Sequence, residues 1–249
     1  MTAYLFRRAA RFRDRADAGR QLAEALAPVA AAPCVIAAIP RGGVAVALPI
    51  VERLGLPLTV VYARKLTAPI APELAFGAQD EDGQTILDEE IVAGLELSAA
   101  DIERAKTRVA AEIARRMATY RVPPLSRYLP GAGVILVDDG LATGLTMRTG
   151  VAYARRHGAR DVTVAVPCAA SSAAERFARE ADRLVSLVTD EAFMAVGTYY
   201  EDFSAVPDAE VVAMLERAQR EATFKKDAAE VPPPKAQEAE GKKVEAKGA

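Results

Sequence analysis

The stretch Val134-Ile135-Leu136-Val137-Asp138-Asp139-Gly140-Leu141-Ala142-Thr143-Gly144-Leu145-Thr146-Met147 decides how the rest of this chain is read. Its first four residues are apolar and partly β-branched, with nothing polar between them, as in a strand buried on both faces of a parallel sheet. Two consecutive carboxylates stop the run, and a loop of small residues and threonines follows. From about Leu145 the apolar and small residues take up helical spacing until Gly158 ends the segment. Strand, acidic pair, Gly/Thr loop and helix describe a site at the carboxyl end of a strand, where open α/β sheets bind ligands.

The residue types suggest what is bound. Amides at the start of a helix, beside the hydroxyls of Thr143 and Thr146, suit a phosphate, and Gly140 and Gly144 are expected to let the chain approach it closely. No lysine stands in this loop and no G-x-G-x-x-G follows the strand, which excludes a Walker-type loop and a dinucleotide fingerprint. Asp138 and Asp139 would repel a phosphate, whereas a vicinal diol can donate hydrogen bonds to their oxygens. A diol close to a phosphate is a ribose 5-phosphate. The plainer alternative is an ordinary βα turn whose Asp pair caps the helix.

A second loop supports the richer reading. Cys34 to Ile39 is a buried strand that breaks at Pro40-Arg41-Gly42-Gly43, before a helix over about 44–54. This puts a guanidinium and free amides at the same sheet edge as the Asp pair, a natural place for a polyanion. An exposed arginine on a Gly-rich turn is the alternative.

Residues 134–147 resemble the phosphoribosyl-pyrophosphate (PRPP) signature of type I phosphoribosyltransferases, and features between about 12 and 205 agree with it. The resemblance implies that Asp138 and Asp139 hold the ribose hydroxyls. It implies that Gly140, Leu141, Ala142, Thr143, Gly144, Leu145 and Thr146 wrap the 5-phosphate, and that Pro40, Arg41, Gly42 and Gly43 cradle pyrophosphate. Arg64-Lys65, after an apolar strand over 58–63, is similar to the start of a mobile loop that closes over the leaving group, here 66 to about 83. Residues 189–203 resemble the segment after the last core strand of hypoxanthine-type members. That makes Asp190 a ligand to a Mg²⁺ carried by pyrophosphate, although its spacing to Phe193 is one residue too long. Purine members also place a lysine after the fourth strand, where this chain has Pro167-Cys168-Ala169-Ala170, so the acceptor base stays open.

Composition fits a soluble globular protein: 249 residues, 51% apolar, 27% charged, net charge −2. No concentrated basic face is visible, so nucleic acid is not an expected partner. Cys34 and Cys168 read as free thiols of a reducing compartment, and the lone His157 reads as a helix-terminal cation. Metal clusters of the His/Cys type and Ser-His-Asp triads are thereby excluded. No apolar run reaches the ~20 residues of a membrane span, and a cytoplasmic protein is expected. Five arginines between Arg7 and Arg15 would suit a transit peptide. However, Phe12-Arg13-Asp14-Arg15 with Asp17-Ala18-Gly19 resembles the opening of a bacterial branch of the family, so the segment reads as mature protein.

The remaining elements follow from pattern. Helices are expected at about 16–30, 171–180 and 207–222, and strands at 161–166 and 183–188. Residues 74–78 and 85–87 can pair as a hairpin, with Glu73 and the acidic run 80–82 as solvated turn residues. Ser98-Ala99-Ala100-Asp101 reads as a capping box for a long helix ended by Pro123-Pro124. Ile102, Val109, Ile113 and Met117 form its apolar stripe, a core or dimer seam. The expected architecture is α/β: a type I phosphoribosyltransferase-like domain over 1–222, with a mostly parallel five-stranded sheet, flanking helices and an inserted helical and hairpin subdomain over about 66–130. Residues 223–249, rich in Lys, Glu, Ala and Pro, read as a disordered tail. The expected activity is transfer of ribose 5-phosphate from PRPP to a nitrogenous base by a homodimer. A PRPP- or nucleotide-binding regulator without catalysis and a PRPP- or nucleotide-directed hydrolase are the alternatives.

Overall fold

The computed structural model describes residues 11–68 and 71–230; of 71–73 and 221–230 only the backbone is described. The elements run α1 (Arg15–Leu26), β1 (Cys34–Ala38), α2 (Gly42–Leu54), β2 (Leu58–Val60), β3 (Arg64–Ala68), β4 (Ala71–Gln79), β5 (Thr85–Leu87), α3 (Glu89–Gly94) and α4 (Ala99–Tyr120). After these come β6 (Gly133–Val137), α5 (Leu145–Arg156), β7 (Val162–Ala170), α6 (Ser171–Glu180), β8 (Arg183–Asp190) and α7 (Asp208–Glu230). Five strands make one sheet in the order β2-β1-β6-β7-β8, and every neighbouring pair is parallel. The uninterrupted apolar runs of β1 and β6 are explained by position: both are interior strands with helices on each face.

Two apolar clusters sandwich that sheet. On one side α1, α2, α4 and α7 contribute Leu22, Leu26, Val46, Ile50, Ile113 and Leu215, all buried. On the other, α5 and α6 contribute Met147, Val151, Tyr153 and Phe177. Local signals set the helix ends. Asp14 accepts a hydrogen bond from the Asp17 amide at the start of α1. Gly55, at φ 70°, closes α2, and Ser98 with Asp101 forms the expected reciprocal capping box on α4. Val109 and Ile113 of the α4 stripe are buried, while Met117 is exposed.

The insert departs from the expectation. Residues 66–83 are not an open loop. Arg64 and Lys65 begin β3, which pairs antiparallel with β4, and β4 pairs with β5 through the anticipated hairpin. On β3 the cause is a period of two, with Leu66 and Ala68 buried and Lys65 and Thr67 not, while β4 is buried throughout from Phe76 to Gln79.

Of the acidic run 80–82, only Asp82 is exposed; Asp80 is buried and Glu81 half-buried. Asp80 is 2% exposed; one oxygen accepts the Asp82 and Gln84 amides and the other meets Arg156 at 2.6 Å. Glu81 accepts the Tyr153 hydroxyl at 2.6 Å. Asp82 lies 2.8 Å from His157 Nε2, at the C-terminal end of α5 where that ring was expected. These residues rivet the hairpin to α5. The side chain of Glu73 lies outside the described residues.

The last helix also runs further than expected, to Glu230 rather than about 222. Residues 223–230 are mostly Ala, Lys and Glu, good helix formers without a breaker before Pro232. The rest of the expected tail, and residues 1–10, lie outside the described residues. The arginine-rich opening is nonetheless part of the domain from Phe12 onward, since Phe12 is 1% exposed and residues 11–13 hydrogen-bond along residues 199–202.

Candidate active site

The strand order creates the site. From β1 the chain moves outward to β2, whereas from β6 it moves the opposite way through β7 to β8. β1 and β6 therefore flank the point where the winding reverses, and ligands of open α/β sheets bind outside the carboxyl ends of such a pair. The two expected loops both lie there. Their strands stay in register to the end, with Ala38 opposite Val137 and the Ile39 amide donating to the Val137 carbonyl at 2.8 Å. Neither α2 nor α5 has a side chain capping its first turn, although at α2 the Gly43 and Val44 amides donate to the Ile39 and Arg41 carbonyls at 3.1 Å.

Asp138 and Asp139 lie half-buried at the tip of β6. Burial pushes the Asp138 carboxyl well above the usual carboxylate range, and the neighbouring Asp139 charge pushes the same way; the Asp139 amide, Lys65 and Arg15 pull it back. The charge of Lys65, exposed on β3, is thus felt at Asp138 although 73 positions earlier in sequence. Arg41 is exposed at the start of α2. The carbonyl of Pro40 accepts from Arg116 Nη1 at 3.3 Å, tying this loop to α4.

The glycines serve the protein before any ligand. A Cβ on Gly43 would lie 2.6 Å from the Val137 carbonyl oxygen, and one on Gly42 would overlap the Asp139 carboxylate. These two bare residues let the Arg41 loop lie directly against the acid pair. A Cβ on Gly140 would lie 2.5 Å from Val196 Cγ1, and one on Gly144, at φ 76°, would lie 2.6 Å from Phe177 Cε2. At both positions a side chain would therefore meet packed side chains, a reason for glycine that is independent of any phosphate.

Along the rest of the loop, Leu141 is buried and forms a parallel bridge with Ala169. Ala142 and Thr143 are exposed, Leu145 is buried and Thr146 is half-buried. The Thr143 carbonyl accepts from Arg176 Nη1 at 3.1 Å. A cleft of about 480 Å³ opens beside this loop, with Thr143, Arg148, Ser172 and Arg176 among its lining residues.

Asp190 ends β8 and is 7% exposed. Its oxygens accept from the Ala192 amide at 2.9 Å and the Tyr199 hydroxyl at 2.6 Å. It is held as a buried anchor for the segment after β8, which is a different geometry from an open metal ligand. Among the described residues no group of three or more His, Cys, Asp or Glu is arranged to hold a metal ion. A Mg²⁺ here fits only as an ion carried mainly by ligand phosphates and water, its common habit. Cys34 and Cys168 are free; Cys168 lies against Gly140, and burial pushes its thiol up to about 12.

Sequence reasoning assigned no role to Arg15, Tyr200 or Phe203. Tyr200 donates its hydroxyl to the Asp139 carbonyl at 2.6 Å. Arg15 reaches the Asp139 side chain at 2.8 Å and stacks on Phe203. The only signal was their membership of the two motifs at the chain's ends, Phe12-Arg13-Asp14-Arg15 and 198–203, and nothing in either says that they meet. No helix among the described residues is long and apolar enough to cross a membrane.

Comparison with known proteins converges on this site. Two Mycobacterium tuberculosis proteins, named as candidate phosphoribosyl transferases, are 43% identical over 210 residues, covering 84% of this chain and 47% of each relative. The chain thus spans about half the length of these curated relatives. The crystal structure of a Thermus thermophilus protein superposes with a TM-score of 0.68 at 42% identity, covering 83% of this chain and 98% of that one. A family model described as a phosphoribosyl transferase domain matches residues 14–202. That match runs from the cap of α1 through both loops at the winding reversal to the segment beyond β8, and the chain belongs to the phosphoribosyl transferase family.

Proposed function

We propose that this site transfers ribose 5-phosphate from PRPP to a nitrogenous base, purine-like or other, with release of pyrophosphate. The observation that carries the reading is the convergence of three chemically distinct parts at one winding reversal: an acid pair, an uncapped Gly/Thr helix start and the Arg41 loop. Each suits one part of PRPP. Asp138 and Asp139 suit the ribose hydroxyls, the amides and hydroxyls of 140–146 suit the 5-phosphate, and residues 40–43 suit pyrophosphate.

In the transfer, the bond from the anomeric carbon to the pyrophosphate oxygen breaks, and a bond from the acceptor nitrogen to that carbon forms. The carbon gains positive character on the way, so the protein acts mainly by positioning and electrostatics. The acid pair lies beside the developing positive charge. Arg41 and Lys65 hold the departing pyrophosphate, whose negative charge a bound Mg²⁺ would also offset. The hairpin of β3 and β4 carries Lys65 to the site from outside the main sheet, which makes it the element best placed to exclude water.

Incubation with Mg²⁺-PRPP and a panel of bases, read by pyrophosphate release and by mass detection of the nucleotide, tests this directly. Base-dependent release is the expected result. Release without any base would mean a hydrolase, and saturable PRPP binding without release would mean a regulator that has kept only the binding site.

A further inference from the structure

We propose that Arg15 is a positioning residue for the ribose end of the site, fixing which oxygen of Asp139 is presented to the diol. The proposal rests on the ribose 5-phosphate reading above. Arg15 is the first residue of α1, and its side chain is only 11% exposed. Three contacts hold it. Nε donates to Asp139 Oδ2 at 2.8 Å, Nη1 donates to the Ser204 carbonyl at 2.8 Å, and Cζ lies 3.8 Å from the centre of the Phe203 ring. A lysine offers one point charge, whereas the planar guanidinium supplies two directed donors and a flat face.

The acid pair is thereby left with a particular set of acceptors. Asp138 Oδ1 accepts the Asp139 amide at 2.9 Å, and Asp139 Oδ2 is taken by Arg15. Asp138 Oδ2 and Asp139 Oδ1 accept no hydrogen bond among the described residues. Two unengaged oxygens on adjacent carboxylates are what two neighbouring hydroxyl donors require.

Gly42 completes the arrangement. A Cβ there would overlap the Asp139 carboxylate and come within 3.0 Å of Arg15 Nε, so the ion pair lies on bare backbone. Arg15 also places a positive charge beside two carboxylates that would otherwise repel each other, an interaction felt at Asp138. Its anchors, Phe203 and Ser204, belong to the segment that hydrogen-bonds with residues 11–13. The two ends of the domain thus meet over the acid pair.

The test compares ribose 5-phosphate with 2,3-dideoxyribose 5-phosphate, which keeps the phosphate and lacks both hydroxyls, by calorimetry. Wild type should prefer the ribose by about tenfold or more, the scale of hydrogen bonds to charged groups. In Arg15→Met the preference should shrink at least about fivefold while affinity for the dideoxy compound holds; Arg15→Lys should recover part of it. An unchanged preference in folded Arg15→Met overturns the proposal, as does an equal loss for both ligands, which would mark a merely structural role. Should Arg15→Met not fold, Phe203→Ala removes only the stacking partner, and an unchanged preference there is equally adverse. A wild type that binds both compounds alike would overturn the ribose reading itself, independently of Arg15.

Discussion

Gly144→Ala separates a glycine kept for a ligand from one kept for the fold. The residue caps α5 at φ 76°, and an added Cβ would lie 2.6 Å from Phe177 Cε2 and 3.4 Å from Leu141 Cδ1. The left-handed backbone costs a non-glycine residue about 1–2 kcal/mol. Crowding a packed core costs a further ~1–3 kcal/mol, and Phe177 is fully buried, so its ring has no open space to enter. The sum is roughly 2–5 kcal/mol, which for a domain of this size lowers the melting temperature by about 5–15 °C. Differential scanning calorimetry without ligand measures it. The double variant Gly144→Ala/Phe177→Leu should show favourable coupling on the order of 1 kcal/mol, because the smaller side chain relieves the crowding but not the backbone strain. A melting temperature within ~2 °C of wild type would refute the packing account and return the glycine to the phosphate.

Three further outcomes follow from the same contacts. Asp138 has a raised carboxyl pKa from burial and the Asp139 charge. Its protonated form favours folding below the unfolded value of ~3.9, and that benefit is lost as pH rises through the folded value. Asp138→Asn should therefore gain melting temperature relative to wild type as pH goes from 4 to 8; a relative loss over that range contradicts the assignment. Tyr153→Phe takes the 2.6 Å donor from the partly buried Glu81 and should cost about 1–3 kcal/mol in chemical denaturation, whereas no change would mean that this contact does not hold the hairpin to α5. Lys65→Ala should lower turnover about 10²-fold, as for loss of one transition-state donor, with a smaller change in PRPP affinity; equal effects on both would make Lys65 a simple binding residue.

The main sheet was legible because its signals are local. A run such as 134–137 has one reading, and the loops after β1 and β6 carry residues whose chemistry is distinctive in themselves. The Ser98/Asp101 capping box and the Gly158 stop are local for the same reason. What escaped was set by distant partners. The acids of 80–82 look like turn residues until Tyr153, Arg156 and His157 arrive from α5. Gly144 reads from the sequence only as a ligand contact, and its second reason for being glycine, the Phe177 ring of α6 where a Cβ would go, comes from a distant element. Arg15 and Phe203 lie 188 positions apart, and neither motif specifies that they stack over Asp139. At Arg64-Lys65 the family resemblance pointed to a loop, while the alternation of Leu66 and Ala68 already carried the signature of a strand.

The central claim is that one PRPP molecule spans the winding reversal between β1 and β6, and a crystal structure of the chain with Mg²⁺-PRPP tests it most directly. The ribose hydroxyls should lie on Asp138 Oδ2 and Asp139 Oδ1, the 5-phosphate on the amides of 140–146, and the pyrophosphate at 40–43 near Lys65. Density for the phosphates in the cleft beside Arg148 and Arg176, with the acid pair untouched, would contradict the account.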